Sequence, residues 1–247
     1  MLRLDQVPAG SDRVNRVAAT RSPRTPAARC RRRHGRIDVG VTPRPRGGHA
    51  VIENQTAADE YREIAGRFTA HVEGVPDDAT WERLAPVPGW TARDVVRHLV
   101  EWFPPFLAGG TGVELPPGPD VDADPVGAWR TMSDGLQAVL DDPASAGKVL
   151  TNPHIGEVAL PEAVSRFFTA DVFMHTWDLA RATGQDETLD PQRCAVMLAG
   201  MEPLDDLLRA SGQYGPKVDV PEDADVQTRM LAFIGRDPRW EQPAPAS

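Results

Sequence analysis

The sequence predicts an all-α fold: a bundle of four to five helices, with a disordered N-terminal tail and a short C-terminal extension. Three observations carry this. From Thr56 onward, apolar residues recur at helical spacing in successive segments. No strand–glycine-loop–helix unit interrupts them, so a P-loop or Rossmann fold is not supported. The chain of 247 residues is 40% hydrophobic and 26% charged, with six Trp and seven Phe, enough to bury one sizeable core.

The first helix starts after Thr56 and carries Tyr61, Ile64, Ala65, Phe68 and Val72 on one face, to about Glu73. A short helix is expected around Asp78–Leu84, before the turn Pro86-Val87-Pro88-Gly89-Trp90. Thr91 is a good N-cap, and Asp94 three residues on can return the bond as a shortened capping box. The second main helix then runs from Ala92 to about Phe103 and is expected to stop near Pro104-Pro105. A long Gly/Pro/Asp loop over Leu107–Pro125 follows, then a third helix over Val126–Leu140. Val149–Leu160 reads as an extended or hairpin segment. Pro161 sits in the first turn of a fourth helix that ends at Gly184. A fifth spans Pro191–Ala210 with a kink at Pro203, and after an extended Lys217–Val220 a short helix covers Asp225–Ile234.

Residues 1–50 differ from the rest. They hold twelve Arg, three Asp, and no Lys, Glu or aromatic residue, a balance of +9 against −18 for the remainder. Such a segment cannot bury enough apolar surface to offset its ordering entropy, so it is expected to be a disordered tail or an over-extended gene start. The acidic body repels phosphates, which argues against nucleic-acid partners. No apolar run reaches the ~18–20 residues of a membrane-spanning helix. Mean hydropathy is −0.39. Two cysteines, Cys30 and Cys194, give neither a disulfide framework nor a Cys-based zinc site, and the expected setting is cytoplasmic.

The fourth helix is apolar on nearly every face, from Val164 through Phe168, Val172, Phe173 and Trp177 to Ala180, so it belongs in the core. It nonetheless carries Asp171 and His175, four residues apart on one face, with Asp178 one turn beyond. A buried carboxylate needs a partner or a metal ion, and an oxygen and an imidazole one turn apart can share one ion. His98 lies in line with Val95, Leu99 and Trp102 on the second helix, so it faces the core and can supply a third ligand. A satisfied core histidine and a plain Asp–His pair remain the alternative on spacing alone. Asp178 is expected to orient a ligand imidazole, with an ion pair to Arg181 as the competing role. Of the other histidines, His71 is expected at the surface, and His154 in an exposed loop.

Two segments resemble a known family. The first, Gly89-Trp90-Thr91-Ala92-Arg93-Asp94-Val95-Val96-Arg97-His98-Leu99, is similar to the W-[ST]-x-x-[DE]-[VL]-x-x-H-[LV] signature of the DinB-like, mycothiol-dependent maleylpyruvate isomerase superfamily. The second, from Asp171 through His175-Thr176-Trp177-Asp178-Leu179-Ala180, resembles its acid-x-x-x-His-x-Trp-Asp-Leu-Ala signature. The end, Gly235-Arg236-Asp237-Pro238-Arg239-Trp240, is similar to that of an actinobacterial subfamily of uncharacterised metal-binding proteins.

The resemblance implies a DinB-like bundle over 51–186, with the C-terminal helices and extension of 187–247 packed on it. It also implies a divalent metal, Zn²⁺ by expectation, held by His98, Asp171 and His175. The characterised isomerases carry Glu where this chain has Asp171, a side chain one methylene shorter. They also have a larger C-terminal domain for the thiol cofactor, so substrate specificity does not transfer. No cysteine lies near either motif, so the nucleophilic sulfur would arrive from outside, and the family points to mycothiol. The partners expected are therefore a small-molecule thiol and an electrophilic substrate. An open position on the metal can lower the pKa of such a thiol. The competing classes are a non-catalytic or regulatory metal-binding protein and a metal-dependent hydrolase.

Overall fold

A computed structural model describes residues 55–243; the Arg-rich tail over 1–50 lies outside them. The first helix, α1 (Ala57–Glu73), starts where Thr56 accepts the Asp59 N–H, at 3.1 Å. Its face of Tyr61, Ile64, Ala65, Phe68 and Val72 is buried. After the single turn α2 (Asp78–Trp81), the capping box of Thr91 and Asp94 opens α3 (Ala92–Thr111). Each residue of that box accepts the other's backbone N–H, at 3.2 and 2.9 Å.

Helix α3 does not stop at Pro104-Pro105, as its sequence suggests; it continues two turns to Thr111, and the loop begins only at Gly112. The prolines delete the N–H groups that would meet the carbonyls of Val100 and Glu101, half-buried and exposed positions that water can reach. Phe103 and Leu107, on either side of the pair, are fully buried. Burial of Leu107, beyond the pair, contributes about 1.5–3 kcal/mol and offsets part of the ~3 kcal/mol that each interior proline costs. Close packing follows at the helix end: a Cβ on Gly110 would lie 2.8 Å from Leu150 Cγ, so only glycine lets the next hairpin approach.

Helix α4 (Pro125–Asp141) is pinned to α1 by Trp129 Nε1, which donates to Thr69 Oγ1 at 2.8 Å, and by the Tyr61 hydroxyl on Ser133 at 3.0 Å. The expected extended segment is a two-stranded antiparallel hairpin, β1 (Val149–Asn152) and β2 (Gly156–Ala159), with Val149 opposite Ala159. His154 sits in its exposed turn.

The long fourth helix of the sequence reading is three pieces in line. These are α5 (Leu160–Ala163), a wide π-helical stretch over Val164–Thr169 closed by the Ala170 N–H on Ser165 O, and α6 (Ala170–Thr183). Helix α6 packs between α1 and α3 and is buried along most of its length. The fifth helix breaks at Pro203 as its sequence indicates, into α7 (Pro191–Met201), a 3₁₀ turn over Glu202–Leu204, and α8 (Asp205–Ala210). The last helix is α9 (Val226–Phe233). Among the described residues the fold is thus all-α apart from one hairpin, as the sequence predicts.

One residue contradicts its expected place. His71 is buried, not on the surface, because its ring bridges two backbone carbonyls, Arg67 O and Asp186 O, each at 2.9 Å. The late-helix position hid this, since Asp186 lies far along the chain.

Candidate metal centre

The capping box fixes the phase of α3, so that His98 and Trp102 leave the helix toward α6, one turn apart. The apolar surroundings of α6 fix its rotation, which turns Asp171 and His175 back toward α3. The three side chains meet there, with one ligand atom from each of His98, Asp171 and His175 within 4.8 Å of the others. His98 Nε2 lies 3.1 Å from Asp171 Oδ2, and His175 Nε2 lies 3.5 Å from Asp171 Oδ1. His154 is exposed elsewhere and His71 is engaged at the far end of α1, so neither joins the cluster.

Two indoles frame the cluster. Trp102 Nε1 donates to Asp171 Oδ2 at 2.9 Å, which occupies that oxygen and leaves Oδ1 free toward His175. Trp90, from the turn before α3, stacks on the His175 ring at 20° and 5.7 Å and also contacts the His98 ring at 5.0 Å. His175 is buried, whereas the His98 side chain keeps 31% exposure, so the cluster reaches solvent on the α3 side.

Behind His175 lies Asp178, fully buried. Its Oδ2 accepts from His175 Nδ1 at 2.8 Å. Asp178 does not pair with Arg181, which instead binds Glu187. Its cation is Arg236, which donates through Nε to Oδ1 at 2.9 Å and through Nη2 to Oδ2 at 3.0 Å. Sequence reasoning missed Arg236: it stands in the C-terminal segment, and no periodicity links it to α6.

The electrostatics follow from these contacts. Burial works against the Asp171 carboxylate, but the neighbouring His175, His98 and Trp102 outweigh it and hold its pKa below the usual range. Burial likewise opposes Asp178, and Arg236 with His175 holds it down at about 2. Arg236 is pushed up: burial lowers it, and the Asp178 charge outweighs that. Tyr214 also senses the cluster; burial, then the charge of Asp171, raises its phenol to about 12.

The donor set fits a cation. In the tautomer with its proton on Nδ1, toward Asp178, His175 has its Nε2 lone pair available to an ion. That nitrogen lies 3.5 Å from Asp171 Oδ1, near enough for the two atoms to share one ion. Two imidazoles and a carboxylate are nitrogen and oxygen ligands suited to zinc, and three ligands leave a coordination position open.

Residues 61–180, which contain all three candidate ligands, match the model of the family described as the mycothiol maleylpyruvate isomerase N-terminal domain. Two uncharacterized proteins, from two strains of Mycobacterium tuberculosis, are each 26% identical to the chain over 194 residues, which is 76% of this chain and 98% of the relative. No solved structure gives a significant match.

Proposed function

From the premise that residues 61–180 belong to the mycothiol maleylpyruvate isomerase N-terminal domain family, we propose that the protein is a thiol-dependent transferase or isomerase. It would hold one divalent ion, Zn²⁺ by preference, on His98 Nε2, Asp171 and His175 Nε2. The observation that carries the metal is the convergence of His98, Asp171 and His175, with one ligand atom of each within 4.8 Å of the others. The thiol is mycothiol or a thiol of its kind, and its partner is an electrophilic small molecule in a cytoplasmic setting.

A divalent ion at this place supplies the positive charge that keeps a bound thiol ionised at neutral pH. The chain's own residues do the rest. Asp171, with one oxygen taken by Trp102, offers the other as a single ligand atom. Asp178 keeps the His175 proton on Nδ1. Trp90 covers the two imidazoles and limits water to the side where His98 is exposed. Among the described residues the one cysteine, Cys194, is buried, and burial pushes its thiol up to about 12, so it offers no competing thiolate.

Elemental analysis of the purified chain and of His175→Ala tests the metal. One zinc per wild-type chain and little in the variant is the expected result; equal content in the two would end the reading. Incubation with mycothiol and a panel of electrophiles then tests the chemistry. Turnover that needs the thiol supports the transferase or isomerase. Turnover with water alone would make the protein a hydrolase, and metal without turnover a binding protein.

A further inference from the structure

Arg236 lies outside the segment matched to the family, 56 residues beyond its end at residue 180, yet it supplies the cation at the back of the centre. Its place is built with care. Helix α9 ends in a Schellman motif: Gly235 N–H binds Ala232 O at 3.2 Å and Arg236 N–H binds Leu231 O at 2.9 Å. The motif needs a left-handed residue, which Gly235 provides with φ at 87°. Gly235 also crosses the backbone of Gly215 so closely that a Cβ would lie 2.9 Å from Gly215 Cα. Main-chain geometry, rather than a flexible tail, therefore aims the Arg236 side chain at α6.

The guanidinium meets the carboxylate edge to edge, Nε on Oδ1 and Nη2 on Oδ2, a two-point contact that fixes the plane of the carboxylate as well as its charge. Asp178 Oδ2 also takes the His175 N–H. A carboxylate held in plane selects one orientation of that ring and one tautomer, with the proton on Nδ1. Without that two-point contact nothing would fix the plane of the carboxylate, and the ring it holds would lose its single orientation.

We propose that Arg236 is a positioning residue of the metal centre: acting through Asp178, it sets the His175 ring so that Nε2 is presented to the ion. The C-terminal segment would thus complete a site whose ligands all come from the bundle. This rests on the metal reading above, and the two can fail separately.

The test uses the full chain with Arg236→Met, Asp178→Asn and both together. Zinc affinity is read by competition with a chromophoric chelator. The His175 ring state is read from ¹⁵N chemical shifts in the metal-free protein. Arg236→Met is expected to bind zinc on the order of tenfold more weakly, at the lower end for a residue that supports a ligand. Its His175 signals should move from the Nδ1-protonated pattern toward a mixture. The double variant should bind no more weakly than Asp178→Asn alone, because Arg236 acts only through that carboxylate. A folded Arg236→Met with wild-type affinity and an unchanged His175 spectrum would overturn the proposal. So would losses from the two substitutions that simply add, which is what two residues acting independently of one another give. If Arg236→Met does not fold, Asp178→Asn against the double variant, which buries no unpaired carboxylate, decides between the same outcomes. A wild-type chain that binds no zinc would instead sink the metal reading, while the ring spectra would still judge Arg236.

Discussion

Tyr61 and Tyr214 are the chain's two tyrosines, and both resist ionisation. Burial pushes Tyr61 far up against the smaller effect of its bond to Ser133, and burial with the Asp171 charge takes Tyr214 to about 12. An acid whose folded pKa is raised favours the fold in its neutral form. That stabilisation is complete below the unfolded value near 10 and is lost as pH rises toward and past the folded values. An ultraviolet titration should therefore show no tyrosinate in the folded chain at pH 10.5, and phenolate absorbance should then appear together with loss of helical circular dichroism. A phenol that titrates near 10 while the helices persist would contradict this. At the same scale, the convergence of His98, Asp171 and His175 was legible in the sequence, because their faces follow from helical spacing on segments with unmistakable periods. His71 and Arg236 were not. Each is satisfied by a partner more than fifty residues away, His71 by Asp186 and Arg236 by Asp178, and spacing within one helix carries no record of that.

At the scale of elements, the stretch Val164–Thr169 is the departure that matters. The sequence reads as one continuous helix because the apolar pattern does not lapse there, and a wide turn leaves no mark in composition. It leaves one in the packing. Thr169 Oγ1 is buried and has no hydrogen-bond partner among the described residues. Other threonines on this helix return their hydroxyls to the carbonyl four residues back, as Thr176 does to Val172 at 2.8 Å. An unsatisfied buried hydroxyl costs about 1–3 kcal/mol, so Thr169→Val, nearly the same shape without the hydroxyl, is expected to stabilise the protein. The gain should raise Tm by about 2–4 °C per kcal/mol in a chain of this size. A thermal melt in which Thr169→Val unfolds earlier would mean the hydroxyl has a partner in solution. The prolines of α3 teach the complementary lesson. Local propensity says stop at Pro104, and the buried Leu107 beyond it says continue; the core wins because the lost bonds face water.

For the whole molecule, the charge split of the sequence makes a separate prediction. A tail at +9 and a body at −18 attract each other, but salt at physiological strength confines that attraction to a Debye length of about 8 Å. A chain beginning at Val51 should keep the metal content, helical signal and melting temperature of the full chain. Loss of metal, or a melt lower by many degrees, would assign the first fifty residues a structural role. The order of the main helices was readable because α1, α3, α4, α7 and α9 each begin with a capping side chain and stop at or beside a glycine or proline. How the C-terminal segment returns to α6 was not, since that path depends on Gly235 crossing Gly215 and on an arginine finding a carboxylate.

The separation of Arg236 from His98 has a consequence in time. About 140 residues lie between them in the chain, and at ribosomal rates of ~5–20 residues per second their synthesis is separated by roughly 7–28 s. Through that interval the nascent bundle already owns His98, and later Asp171 and His175, but not the arginine that steadies Asp178. An emerging chain would thus meet the cell's metal pool with an unfinished grip. Selection among competing ions would be made, or corrected, only in the last moments before release.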